Sequence, residues 1–92
     1  MDEAILQRVI KVFAEFKKMS PEDITPDMTF EQLGLDSLDG LNLVFELEEE
    51  FSLMIPDNQV KEMKSVSEVA EGIEYLLAHP EEQANNVKPP VP

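Results

Sequence analysis

Ile5, Val9, Val12 and Phe16 recur three and four residues apart, with Leu6, Ile10 and Phe13 widening the stripe. That spacing gathers side chains on one face of an α-helix and scatters them on a strand. Residues 2–18 are therefore predicted to form an amphipathic helix whose apolar face must be covered. The same period returns twice. Leu43, Val44, Leu47 and Phe51 share a face over residues 37–51, and Val66, Val69, Ala70, Ile73, Leu76 and Leu77 share one further on. No segment alternates as a strand would. The chain has 92 residues and no cysteine, so neither disulfides nor thiolate-bound metals can hold it. The stripes must bury one another in a single core.

Between the first two stripes lies a long connection, residues 19–36, in which SPED, TPDM and TFEQ each open on a cap-type residue. Pro21 and Pro26 stand where a first helical turn tolerates proline. Thr29 and Gln32 have the spacing of a capping box. Met28, Phe30, Leu33 and Leu35 are the anchors expected to tie this loop to the helices, and a connection this long is often functional. Helix two is predicted to start at Ser37 with Asp36 as N-cap. Asp57 is a cap candidate for a short third helix reaching Met63. Ser65 with Glu68 forms another capping box, opening a last helix that Pro80 ends. The fold class is thus all-α: a small four-helix bundle over residues 1–78, with a long loop between helices one and two. Residues 79–92 are polar and proline-rich and are expected to form a flexible tail.

The net charge of −13 is unevenly placed, because no Lys or Arg occurs between Lys18 and Lys61 while eleven Asp and Glu do. Such a field repels nucleic acid and anionic lipid and draws in basic protein surfaces. The apolar runs are too short for a membrane span, and MDEAILQRVI is acidic where a signal peptide would be basic. A soluble, cytoplasmic protein that neither binds nucleic acid nor inserts into membranes is the expectation.

On the wheel of helix two, Leu43, Val44, Leu47 and Phe51 form the core face, with Gly40 among them. Leu38, Leu41 and Phe45 form a second apolar stripe on another side, next to Ser37. Asn42, Glu46 and Glu49 lie just beyond it, and Glu48 falls between Ser37 and Leu41. A surface helix needs only one stripe. One that is apolar at its centre and acidic at its edges has the character of a protein-docking face, although Leu38 and Leu41 packing against the loop would be the simpler use. Gly40 either permits a close helix contact or leaves room for something to pass into the core.

Ser37 has no catalytic company. The only histidine, His79, stands beside Pro80, and LDSLD lacks the glycines of a nucleophile elbow. No metal-ligand spacing is present, and the run from Glu48 to Glu50 reads as a solvated face. A hydroxyl in the first turn of a helix does sit among unpaired amides at the positive end of the dipole, where an attached phosphate is stabilised.

The segment LGLDSLDGLNLVFELEEEF resembles the modification site of the acyl carrier proteins, which centre on Asp-Ser-Leu at the start of helix two. IPD before a short third helix extends the likeness, which covers about residues 2–77. The resemblance implies a carrier of acyl-carrier type, not an enzyme. Ser37 would bear 4′-phosphopantetheine, added from coenzyme A by a phosphopantetheinyl transferase, with Asp36 and Leu38 as flanking motif residues. Acyl intermediates would be held as thioesters and presented to partner enzymes of fatty acid, polyketide or related lipid synthesis. Those partners, acyl-transferring, condensing or ligase enzymes with basic patches, would dock on Asp39, Leu41, Asn42, Phe45, Glu48 and Glu49. The monomeric bundle would shelter the acyl chain among Phe30, Leu43, Leu47, Phe51, Ile55, Met63 and Ile73, with no metal.

Departures from the family pattern fall mostly on helix two, and NQVKEMKSV is also less acidic than usual at helix three. Carriers of general fatty acid synthesis typically have Thr or Ser where this chain has Gly40 and Glu where it has Asn42, and Phe45 replaces a smaller or more flexible apolar residue. A specialised carrier is implied. Glycine near the start of helix two also occurs in D-alanyl and other aminoacyl carriers, which leaves an amino-acid cargo open. An unmodified helical docking adaptor is the remaining alternative, although docking alone does not require the hydroxyl.

Overall fold

A computed structural model describes residues 2–83. It contains α1 (Glu3–Lys17), α2 (Ser37–Phe51), α3 (Asp57–Val60) and α4 (Val66–Ala78), with single 3-10 turns at Pro21–Asp23 and Pro80–Glu82. Among the described residues there is no strand, only an isolated antiparallel bridge between Thr29 and Ser65. No helix among them is long and apolar enough to cross a membrane.

The three long helices, α1, α2 and α4, start where side chains accept otherwise orphaned amide protons. Asp2 Oδ1 accepts from the amides of Ala4 and Ile5 at 2.9 and 3.4 Å, and Asp36 does the same service for α2. α1 packs against both α4 and α2, so the three predicted stripes meet. Val9 and Phe13 of α1, Leu43 and Leu47 of α2, and Val66, Val69, Ile73 and Leu76 of α4 form the fully buried centre. Ala14, Ile24 and Leu53 join the core as well. Ile24 escaped the periodic reading because an isolated apolar residue in a loop has no partner at helical spacing.

The long loop is strapped across the entrance to α4. Phe30 N donates to Lys64 O at 3.0 Å, Val66 N to Met28 O at 3.0 Å and Ser67 N to Pro26 O at 2.8 Å. The Thr29–Gln32 capping box is present in both directions, at 2.9 and 3.0 Å. It opens a turn instead of a helix, because Gly34 at φ 74° lets the chain reverse and Leu35 N bonds back to Phe30 O. Leu33 and Leu35 are buried, Met28 and Phe30 half-buried. The Phe30 ring meets Phe13 edge-on, with centroids 5.6 Å apart.

Three boundaries differ from expectation. The N-cap of α3 is Pro56, extended at ψ 152°, while Asp57 is already the first helical residue and no side chain caps the turn. A four-residue helix with no buried residue has little to extend it, so α3 stops at Val60 and Met63 lies in the following turn. At α4, Ser65 Oγ accepts from Glu68 N at 3.2 Å, but the Glu68 carboxylate reaches one residue further back, accepting from Lys64 N at 2.9 Å. Finally, residues 79–83, expected to begin the tail, turn back on the bundle: Gln83 Nε2 donates to Leu76 O at 3.2 Å and Gln83 Oε1 accepts from Met54 N at 3.4 Å. Residues 84–92, the rest of the expected tail, lie outside the described residues.

Candidate functional site

Asp36 and Ser37 divide the labour at the start of α2. Asp36 is the N-cap: its Oδ1 accepts from Asp39 N at 2.8 Å, and Asp39 Oδ2 accepts from Asp36 N at 3.3 Å. This reciprocal box takes the acids into the helix start. Ser37, the first helical residue, is exposed, and its hydroxyl bonds to no described residue. The hydroxyl therefore stays available at the positive end of a fifteen-residue helix.

Beside it opens an apolar cleft of about 590 Å³. Ser37 and Asp36 line it, together with Phe30 and Leu35 of the loop, Gly40, Leu41 and Val44 of α2, Val60 and Met63 of the α3 segment, and Val69 of α4; Thr29, Glu31 and Lys64 complete its wall. Of the predicted pocket residues, Phe30 and Met63 lie on this cleft. Leu43, Leu47, Phe51, Ile55 and Ile73 instead pack inside the closed core. Helical periodicity marks which residues are buried but cannot separate a sealed core from the wall of an open cleft. A finer signal was present: Gly40, Leu41 and Val44 follow Ser37 by three, four and seven residues, the positions stacked above it on one helix face. A Cβ built on Gly40 would meet the Phe30 ring at 3.6 Å, so the glycine faces the loop and not another helix.

The second stripe of α2 is uncovered. Leu38, Leu41 and Phe45 are 65, 49 and 57% exposed, so the loop does not cover them. Asn42, Glu46 and Glu49 stand exposed around them. Glu48 is different: it is half-buried, and its Oε2 accepts from Ile55 N at 2.8 Å, fastening the α2–α3 connection. Glu50 is also engaged. Arg8 Nε meets its carboxylate at 3.0 Å, Arg8 Nη2 donates to its carbonyl at 2.7 Å, and the guanidinium lies 4.3 Å from the centre of the Phe51 ring. The acidic run is thus two structural carboxylates flanking the exposed Glu49. His79 stacks on Tyr75, centroids 4.2 Å apart, with Nδ1 within 3.0 Å of Tyr75 O; it belongs to the end of α4.

A family model for the phosphopantetheine attachment site matches residues 7–73. The chain is 40% identical over 79 residues to a mitochondrial acyl carrier protein of Dictyostelium discoideum, covering 86% of this chain and 63% of that protein. It is 37% identical over 78 residues to acyl carrier protein 2, mitochondrial, of Arabidopsis thaliana, covering 84% and 60%. It is 37% identical over 75 residues to an acyl carrier protein of Thermosynechococcus vestitus, covering 80% and 93%. The chain belongs to the acyl carrier protein family. It spans about three fifths of the length of the two mitochondrial relatives. The mitochondrial location of those two relatives overturns the cytoplasmic expectation. That expectation rested on charge and on apolar run length, which report how a bundle stays in water and not the compartment in which it works.

The cofactor of the family is covalently attached 4′-phosphopantetheine. The residues present fit it: an exposed, unbonded hydroxyl at a helix start and an apolar cleft opening alongside.

Proposed function

We propose that Ser37 is the attachment residue and that the chain is a carrier of acyl groups, not a catalyst. The observation that carries this reading is the free Ser37 hydroxyl on the rim of the apolar cleft. When bound, the group supplies a terminal thiol that holds an acyl chain as a thioester. Asp36 and Asp39 hold the helix start in shape and keep their carboxylates on backbone amides, away from the serine hydroxyl. The amides of Ser37 and Leu38, at the first turn, favour a phosphodiester at this position. The cleft residues exclude water from an apolar chain laid between the loop and α2. The apolar lining favours an acyl cargo over an aminoacyl one.

Partner recognition falls to the uncovered stripe. Leu38, Leu41 and Phe45 supply an apolar centre, and Asn42, Glu46 and Glu49 an edge complementary to basic patches on transferring, condensing or ligase enzymes. Asp39 and Glu48 act by holding the helix and its following connection in place. The mitochondrial relatives support a mitochondrial setting and fatty acid-related synthesis.

The test is intact mass before and after incubation with coenzyme A and a broad-specificity phosphopantetheinyl transferase. The expected outcome is a gain of one phosphopantetheine that Ser37→Ala abolishes. A folded protein that gains nothing, or a Ser37→Ala variant that still gains it, would sink the assignment.

A further inference from the structure

Gly72 sits in the middle of α4, where glycine weakens a helix. Gly34 has a positive φ that justifies it; Gly72 does not. Space is what it provides. A Cβ built there would lie 2.5 Å from Met63 Cε and 3.3 Å from Gln59 Oε1. No real side chain tolerates the first distance, so the Met63 methyl occupies a notch that exists only because residue 72 is glycine.

Met63 has a second neighbour. Its side chain is buried, and it also lines the cleft that opens beside Ser37. It therefore stands between the cleft and the notch, on a segment whose helix is four residues long, with no side-chain cap and no buried residue. A thioether on an unbranched side chain re-packs readily.

Resting on the acyl-carrier reading of this site, we propose that Met63, parked in the Gly72 notch, is the movable stop that sets the depth of the cleft and so the longest acyl chain the protein shields. Shortening residue 63 joins the vacated space to the cleft and deepens it. Adding a methyl at residue 72 evicts the Met63 methyl, and the cleft is the open space next to it. The two changes act in opposite directions, which a general loss of stability would not produce.

The experiment has two arms. In the first, the unmodified protein is labelled at its methionine methyls, and the Met63 resonance is compared between wild type and Gly72→Ala. A displaced Met63 signal is expected, with the other methionines unmoved; an unchanged signal overturns the notch. In the second arm, wild type, Met63→Ala, Met63→Val and Gly72→Ala are loaded at Ser37 with a graded series of straight saturated acyl chains. The rise in melting temperature over each variant's own unmodified form is then recorded. In wild type the rise should grow with chain length and then level off. Met63→Ala should move that plateau to longer chains and Gly72→Ala to shorter ones, with Met63→Val serving if the alanine variant folds poorly. Plateaus that coincide, or that move the other way, overturn the inference while leaving the carrier reading intact. Failure of wild type to accept any acyl-phosphopantetheine at Ser37 would overturn both.

Discussion

The loop between α1 and α2 and the segment around α3 both lack long helices, and both contribute walls to the same cleft, yet they are held in different ways. The loop is strapped by three backbone hydrogen bonds to the start of α4, closed by a two-way capping box, and pinned by buried Ile24, Leu33 and Leu35. The α3 segment has one turn of helix and no capping side chain; buried Ile55 holds it on the α2 side, where Glu48 accepts from Ile55 N, and beyond the helix its buried anchor is Met63. Irregular backbone is therefore not equivalent to yielding backbone. One wall of the site is tied along its length by backbone hydrogen bonds, and the other is tied at its ends, with a four-residue helix that buries no residue between them.

Core truncation offers the largest way to break this contrast. Leu33→Ala in the loop is expected to cost about 2–5 kcal/mol in chemical denaturation, whereas Val60→Ala on α3, already half-exposed, should cost less than about 1 kcal/mol. Similar losses at both positions would show that the two walls are equally tied. Hydrogen exchange sharpens the same point: the amides of Phe30, Val66 and Ser67 should be protected well beyond those of Asn58 and Gln59, and equal protection would contradict it.

Effects on α2 come next in size. Asp36→Ala removes the acceptor for Asp39 N and should cost roughly 1 kcal/mol, with Asp39→Ala costing less because only the weaker half of the box is lost. Gly40→Ala tests the loop contact from the other side. Its methyl would meet the Phe30 ring at an ordinary distance, so the helix should gain up to about 1 kcal/mol while the cleft narrows and long acyl groups are shielded less. A loss of stability would mean that the strapped loop cannot move even slightly to admit a methyl.

The smallest stability effects separate neighbouring carboxylates. Glu48→Gln weakens the acceptor for Ile55 N and should lower the melting temperature measurably. Glu49→Gln, on the exposed edge, should leave it unchanged to within about 0.5 kcal/mol. Glu49→Lys should slow modification by the transferase at low ionic strength, and added salt should shrink the difference from wild type. A salt-independent rate for both proteins would remove the electrostatic part of the docking reading.

Much of the molecule was legible in advance for a physical reason. Helices are local: Ile5 to Phe16, Leu43 to Phe51 and Val66 to Leu76 state their covered faces through spacing alone, and Asp36 before Ser37 states a helix start through capping chemistry. Leu77, read into the last stripe, is instead 40% exposed, because it follows the buried Leu76 near the end of α4 and turns off the core face. The second stripe, Leu38, Leu41 and Phe45, was legible because an apolar face without an internal partner is visible on the wheel. Less legible was the hydrogen bond from Ile55 N to Glu48, since a carboxylate's partner across a turn leaves no periodic trace.

By itself the sequence determined an all-α chain, an acid-capped second helix and a lone hydroxyl at its start, because each depends on residues within one or two helical turns. Only the tertiary structure decided which buried residues wall the cleft, that the long loop is strapped while the α3 segment is not, and that Gly72 makes room for Met63. Those outcomes depend on how separate elements meet, and the distance between two surfaces brought together by folding is written in no single stretch of either.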